Sequence, residues 1–123
     1  MSSREKLTTW HLARQGIAKV IVGTRSAIFT PFKNLGLIVV DEEHDNSYKQ
    51  IDNFKYSARD LAVKRGQIEN CQVILGSATP SLESMHNATQ GKYQHIKLTY
   101  RAGAGQTPEM FLIDIRSRPL ENG

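Results

Sequence analysis

The sequence contains one cysteine, Cys71, which excludes an internal disulfide and any zinc site built from several cysteines of this chain. It has no long apolar run. The longest, Leu35 to Val40, falls far short of the ~20 residues that cross a bilayer, so no membrane partner is expected. The first residues, Met1-Ser2-Ser3-Arg4-Glu5-Lys6, lack the apolar core of a secretion signal, and an intracellular, soluble chain is expected. Internal repeats and low-complexity segments are absent. What is there is ordinary globular composition: 39% apolar and 23% charged residues argue against a disordered chain. A length of 123 residues fits one domain or part of one. The net charge of +4 mildly favours a polyanionic partner.

Hydrophobic patterning and turn residues predict an alternation of helices and strands. A helix is expected from Ser3 to Gln15, with Ser2 and Glu5 as a capping box, Gly16 as its stop, and Leu7, Trp10 and Ala13 on one face. A short strand is expected at Lys19–Val22, then a turn at Gly23–Ser26 running into a helical turn through Phe29. Leu37–Val40 is apolar on both faces, as in a central parallel strand. Glu42–Tyr56 reads as a long loop. Ser57 with Asp60 caps a helix to about Ile68, with Leu61, Ala62 and Ile68 facing the core. Val73–Leu75 is a second buried strand, and Thr79-Pro80 starts a helix ending near Gly91. Further strands are expected at Tyr93–Leu98 and Met110–Ile115, with residues 1–115 as the folded part and 116–123 as a disordered tail. The alternation predicts an α/β fold with a mostly parallel sheet flanked by helices.

Three polar clusters each follow an expected strand. Open parallel sheets gather ligands at the carboxyl ends of their strands, so these clusters converge on one rim if the strands are parallel. Asp41-Glu42-Glu43-His44 places carboxylates where one can hold Mg²⁺, directly or through water, and a neighbour can activate an attacking water. A solvated acidic turn fits the same residues. Gly76-Ser77-Ala78-Thr79 offers close backbone approach and two hydroxyls; a turn with Thr79 as helix cap fits equally. Gly23-Thr24-Arg25-Ser26 suits a phosphate cradle or a plain turn with an exposed Arg. The loop after the acidic cluster carries Tyr48, Lys49, Phe54, Lys55, Tyr56 and Arg59. Such interleaving of aromatics and cations can bind a nucleic-acid single strand, or the rings can anchor the loop to the core.

Taken together, the clusters resemble the motifs of superfamily 2 helicases: Asp41–His44 the DExH box, Ser77–Thr79 the Ser-Ala-Thr motif, and Gly23–Ser26 motif Ib. The longer runs VGTRSAIFTPFKNLGLIVVDEEHDNSYKQ, FKYSARDLAVKR and VILGSATPSLES resemble the bacterial replication-restart DNA helicases, from about Leu7 to Asp114. The resemblance implies the later part of a first RecA-like (P-loop NTPase) lobe. It implies ATP and Mg²⁺ as cofactors, with Asp41 positioning the metal and Glu42 activating the attacking water. His44 would couple nucleotide state to Ser77 and Thr79, with Glu43 in the same coupling group. Thr24, Arg25 and Ser26 would touch the DNA backbone, and Tyr48, Lys49, Phe54, Tyr56 and Arg59 would lie in an aromatic-rich DNA-binding segment.

Implied partners are forked and single-stranded DNA, single-stranded DNA-binding protein and primosome proteins, in a bacterial cytoplasm. The family's zinc would lie outside this chain. A Gly-x-x-x-x-Gly-Lys phosphate loop is missing from the sequence, since Gly91-Lys92 is followed by Tyr93 with no glycine at the required distance before it. The second motor lobe is also expected elsewhere. An isolated chain of this kind is expected to lack ATPase activity; the alternative is a single-stranded nucleic-acid-binding module without catalysis. Bare apolar sheet surface is expected as well.

Overall fold

The computed structural model describes residues 3–100 and 109–112. The chain divides into two compact units, Met1–Tyr93 and Gln94–Gly123. The first unit holds every helix and strand found among the described residues. In order these are α1 (Ser3–Arg14), a 3-10 helix (Arg25–Phe29), β1 (Leu37–Val40), a second 3-10 helix (Asn46–Tyr48), β2 (Lys49–Gln50), β3 (Tyr56–Ser57), α2 (Ala58–Glu69), β4 (Gln72–Leu75) and α3 (Leu82–Thr89).

The centre of this unit is a β-α-β crossover. β1 and β4 pair in parallel, with Leu37 opposite Gln72 and Val40 opposite Leu75. Between them in sequence, α2 packs against both strands. Ser57 starts α2 by accepting a hydrogen bond from the Asp60 amide, and Asn70 ends it in the left-handed conformation at φ 51°. The helix buries Ala58, Ala62 and Gly66, a stripe of small residues four apart. Gly66 is required by this packing. A Cβ there would collide with Val73 Cγ2 and stand 3.2 Å from the Cys71 carbonyl oxygen.

Because β1 and β4 run the same way, their carboxyl ends lie side by side, and the loops Asp41–His44 and Gly76–Thr79 start together. The Gly76 amide donates to the Val40 carbonyl at 2.8 Å, and the Glu43 amide donates to the Gly76 carbonyl at 3.0 Å. The expected α/β class and parallel sheet are therefore present.

Several expected elements differ. Lys19–Val22 forms no strand, and Val22 is 94% exposed. A strand needs a neighbour for its backbone groups, and among the described residues none pairs with it. Tyr93–Leu98 is likewise irregular, as are Met110–Leu112; residues 113–115, the expected tail and Ser2 of the expected capping box lie outside the described residues. Asp45 caps a 3-10 turn inside the expected loop 42–56, and β2 and β3 then pair as an antiparallel ribbon, Lys49 opposite Ser57.

The helix expected from Thr79-Pro80 begins later, at Leu82. Ser81, not Thr79, caps it by accepting from the Ser84 amide. Ile68 points outward, since Gly66 is the residue that seats α2 on β4. On α1 only Ala13 of the expected apolar face is fully buried. One face of the sheet is open, with Leu37, Val39 and Ile74 half-exposed or more.

Candidate functional site

The site grows from the two strand ends. After Val40 the chain turns sharply, because Glu42 adopts φ 48°, a left-handed conformation uncommon outside glycine. The Glu42 amide donates to Asp41 Oδ1 at 3.0 Å. Asp41 and Glu42 remain exposed, with their carboxylates at the strand end. Two hard oxygen donors of this kind suit Mg²⁺, which usually takes one or two protein carboxylates together with phosphate oxygens.

His44 joins the two loops. Its Nδ1 lies 2.6 Å from Ser77 Oγ, and its Nε2 lies 3.4 Å from Thr79 Oγ1. Glu42 Oε2 is 3.4 Å from the same Nδ1. The Thr79 amide donates to Ser77 Oγ at 3.0 Å, which closes the second loop on itself. Asp41, Glu42, Glu43, His44, Ser77 and Thr79 thus meet on one rim.

Glu43 is different in kind, because its side chain is 1% exposed. Its carboxylate accepts from the Ser81 amide at 2.6 Å, Ser81 Oγ at 3.0 Å, Ser84 Oγ at 2.9 Å and Arg59 Nη1 at 3.2 Å. Burial pushes its pKa up, but these four bonds outweigh burial and hold it below its ordinary 4.5. Arg59, 11% exposed, also reaches Asp60, Ser81 and Glu83. The expectation that Arg59 faces nucleic acid therefore meets a guanidinium committed to Glu43 and α3. Ser81 and Ser84 were not anticipated as partners. Their Ser-x-x-Ser spacing at a helix start was the one available signal.

The remaining expected residues divide into braces and presented groups. Arg25 Nη1 donates to the carbonyls of Ser47 and Lys49 at 3.2 and 3.0 Å, which ties the first 3-10 turn to the loop after the acidic cluster. Between those carbonyls sits Tyr48, whose hydroxyl donates to the Asp41 carbonyl at 2.6 Å. Burial, then the charges of Asp41, Asp45 and Glu42, raise the Tyr48 pKa and keep that donor protonated. Tyr56 packs edge-on against Phe29 with ring centroids 5.2 Å apart. Phe54, 5.9 Å from Tyr56, is 72% exposed. Thr24, Ser26 and Lys49 are exposed. A shallow cavity of about 110 Å³ opens beside the rim, lined among others by His44, Asp45, Tyr48, Lys49 and Glu83.

Comparison with known proteins agrees with this geometry. The DEAD/DEAH box helicase family model matches residues 1–88. The chain is 49% identical to replication restart protein PriA of Haemophilus influenzae over its whole length, which is 17% of that protein. It is 53% identical over 116 residues to the protein of that name from Chlamydia trachomatis, and 44% identical over all 123 residues to that from Bacillus subtilis. In both cases the match covers 15% of the relative. The chain thus spans about a sixth of the curated relatives it matches. With the family model covering most of the chain and the acidic and Ser-Ala-Thr loops joined at one rim, this chain belongs to the DEAD/DEAH box helicase family.

Proposed function

We propose that this chain works within a full-length ATP-dependent DNA helicase of replication restart, moving 3′ to 5′, as the later part of its first motor lobe, residues 1–115. The contact of His44 with Ser77 carries the reading, because it joins the carboxylate loop to the Ser-Ala-Thr loop through one imidazole. Asp41 would hold Mg²⁺, directly or through water, and the ion would supply charge neutralisation on the phosphates of bound ATP. Glu42, exposed at the end of β1 with its carboxylate 3.4 Å from His44 Nδ1, takes the proton of the attacking water. His44 reads whether Glu42 is engaged and passes this to Ser77 and Thr79. Tyr48 holds the Asp41 carbonyl in place.

On the nucleic-acid side, Thr24, Ser26, Lys49 and Phe54 offer exposed hydroxyls, a cation and an aromatic face to a DNA strand. Forked and single-stranded DNA, single-stranded DNA-binding protein and primosome proteins are the partners this function requires, in the cytoplasm of a bacterium. No helix among the described residues is long and apolar enough to cross a membrane. The family's zinc ligands would come from outside this sequence, which holds one cysteine. By itself the chain does not turn over ATP, since its sequence lacks the Gly-x-x-x-x-Gly-Lys loop.

Glu42→Gln in the full-length helicase tests the assignment. It should cut ATP turnover by about 10²–10⁴-fold, the range for a general base, with nucleotide affinity retained. Turnover near wild type would remove Glu42 from the role.

A further inference from the structure

The 3-10 turn Arg25–Phe29 holds no buried residue, and Thr24 begins it without a side-chain cap. A 3-10 turn of five residues is marginal by itself, so its place is set by what grips it from outside. Its end lacks a donor. In a 3-10 helix the Ile28 carbonyl would accept from the amide three residues on, but that residue is Pro31, which has no N–H. Arg65 supplies the donor: its Nη1 lies 2.5 Å from the Ile28 carbonyl oxygen. A charged donor makes a stronger bond of this kind than a neutral one.

Arg65 is itself held. Its Nε donates to Glu69 Oε1 at 2.6 Å, one turn further along α2, and its side chain is 18% exposed. It directly precedes Gly66, the residue that seats α2 on β4. α2 packs against the turn as well as against both parallel strands. The turn's other grips, Arg25 on the Ser47 and Lys49 carbonyls and Phe29 on Tyr56, reach the segment between β1 and α2. Arg65 ties the turn to the central β-α-β unit. Its guanidinium is committed to two protein oxygens, while the exposed Thr24 and Ser26 stand at the start of the turn.

We propose that Arg65 is a positioning residue for nucleic acid. It fixes the turn so that the Thr24 and Ser26 hydroxyls stand where a strand backbone can take them, and it does not touch the strand itself. This role rests on the reading given above of Thr24 and Ser26 as nucleic-acid contacts.

The test measures binding of an oligothymidylate strand to the full-length helicase over a series of salt concentrations. Arg65→Lys keeps the charge and gives up the planar fork that reaches Ile28 and Glu69 at once. It should weaken binding by about tenfold, the loss that goes with one charge-assisted hydrogen bond. Arg65→Met should weaken binding to a similar extent, with the slope of log affinity against log salt as in the wild type, because hydroxyl contacts release no counterions. A slope shallower by about 0.7 in Arg65→Met would mean that Arg65 meets a phosphate directly, and overturns the proposal. So does wild-type affinity in Arg65→Lys.

The double variant Thr24→Ala, Ser26→Ala separates this role from the reading it rests on. In that background Arg65→Lys should cost no further affinity. A further loss as large as in the wild type would show a general structural effect that does not act through the two hydroxyls, and also overturns the proposal. If the double variant alone binds like the wild type, the nucleic-acid reading of Thr24 and Ser26 fails, and the positioning role with it. If it binds less tightly and the Arg65 variants do not, only the positioning role fails. Should Arg65→Lys fail to fold, Glu69→Ala removes the carboxylate that holds the guanidinium and should weaken binding by a smaller factor. Unchanged binding in that variant overturns the proposal.

Discussion

The carboxyl rim and the sheet that bears it are built in opposite ways. At the rim, Glu43, Arg59, Ser81, Ser84, His44 and Ser77 each have partners, and those partners come from loops and helices far apart in sequence. On the sheet, Leu37, Val39 and Ile74 leave much of their surface in water. Among the described residues of the first unit, the buried apolar side chains are those of Ala13, Val40, Ala58 and Ala62, all small or medium in size. Specific positioning in this chain is thus carried more by polar contacts at the strand ends than by a large apolar core. The two regions should answer mutation very differently.

The largest stability effect is expected at the rim. Arg59→Gln removes the cationic partner of a carboxylate that is 1% exposed. It should cost about 3–5 kcal/mol, the range for breaking a buried ion pair, as a shift of the denaturant midpoint. Loss under about 1 kcal/mol would show that Ser81 and Ser84 suffice.

Next comes the one tightly packed spot between helix and sheet. Gly66→Ala drives a methyl into Val73, and overpacking of this kind costs about 1–3 kcal/mol. A neutral result in thermal melting would mean that α2 can lift from β4 at no cost.

Acid should then distinguish the regions without any mutation at the sheet. The Glu43 pKa is lowered in the folded chain from its ordinary 4.5. Its contribution is therefore fully present above that ordinary value, and is lost as pH falls below it through the folded value. Melting temperature followed from pH 7 downward should show this loss in the wild type and a smaller loss in Glu43→Gln. Identical acid profiles would locate the acid sensitivity elsewhere.

The smallest effect belongs to the open sheet face. Val39→Thr keeps the β-branch at a position already 61% exposed and should change stability by less than about 0.5 kcal/mol. A larger loss would show that this face is covered in solution.

How far the sequence discloses this molecule follows the same division. β1, α2 and β4 were readable because their signals are local: a four-residue apolar run, a Ser57–Asp60 cap, a second apolar run. Lys19–Val22 and Tyr93–Leu98 carry strand-like patterns, but pairing depends on a neighbour that the pattern cannot reveal. β2 and β3 are two residues each, too short for any periodicity to register. The acidic and Ser-Ala-Thr loops were legible as clusters, and their meeting followed from the parallel pairing of β1 and β4. The Glu43 network was not legible. Its partners stand 16 to 41 residues away, and a glutamate in an acidic run looks solvated until Arg59, Ser81 and Ser84 are placed around it. The Gly-Thr-Arg-Ser cluster and the aromatic-rich segment point Arg25 and Arg59 toward nucleic acid, and the sequence does not disclose that both guanidinium groups also hold protein oxygens.

On the helicase reading, the two strand-end loops act as one unit through His44. A double-mutant cycle on ATP turnover in the full-length helicase, with His44→Ala, Ser77→Ala and the pair, tests it most directly. Strong non-additivity is expected, with an interaction energy of about 1 kcal/mol or more between the two positions. Effects that simply add would mean that the 2.6 Å contact between His44 and Ser77 plays no part in hydrolysis and that the two loops act separately.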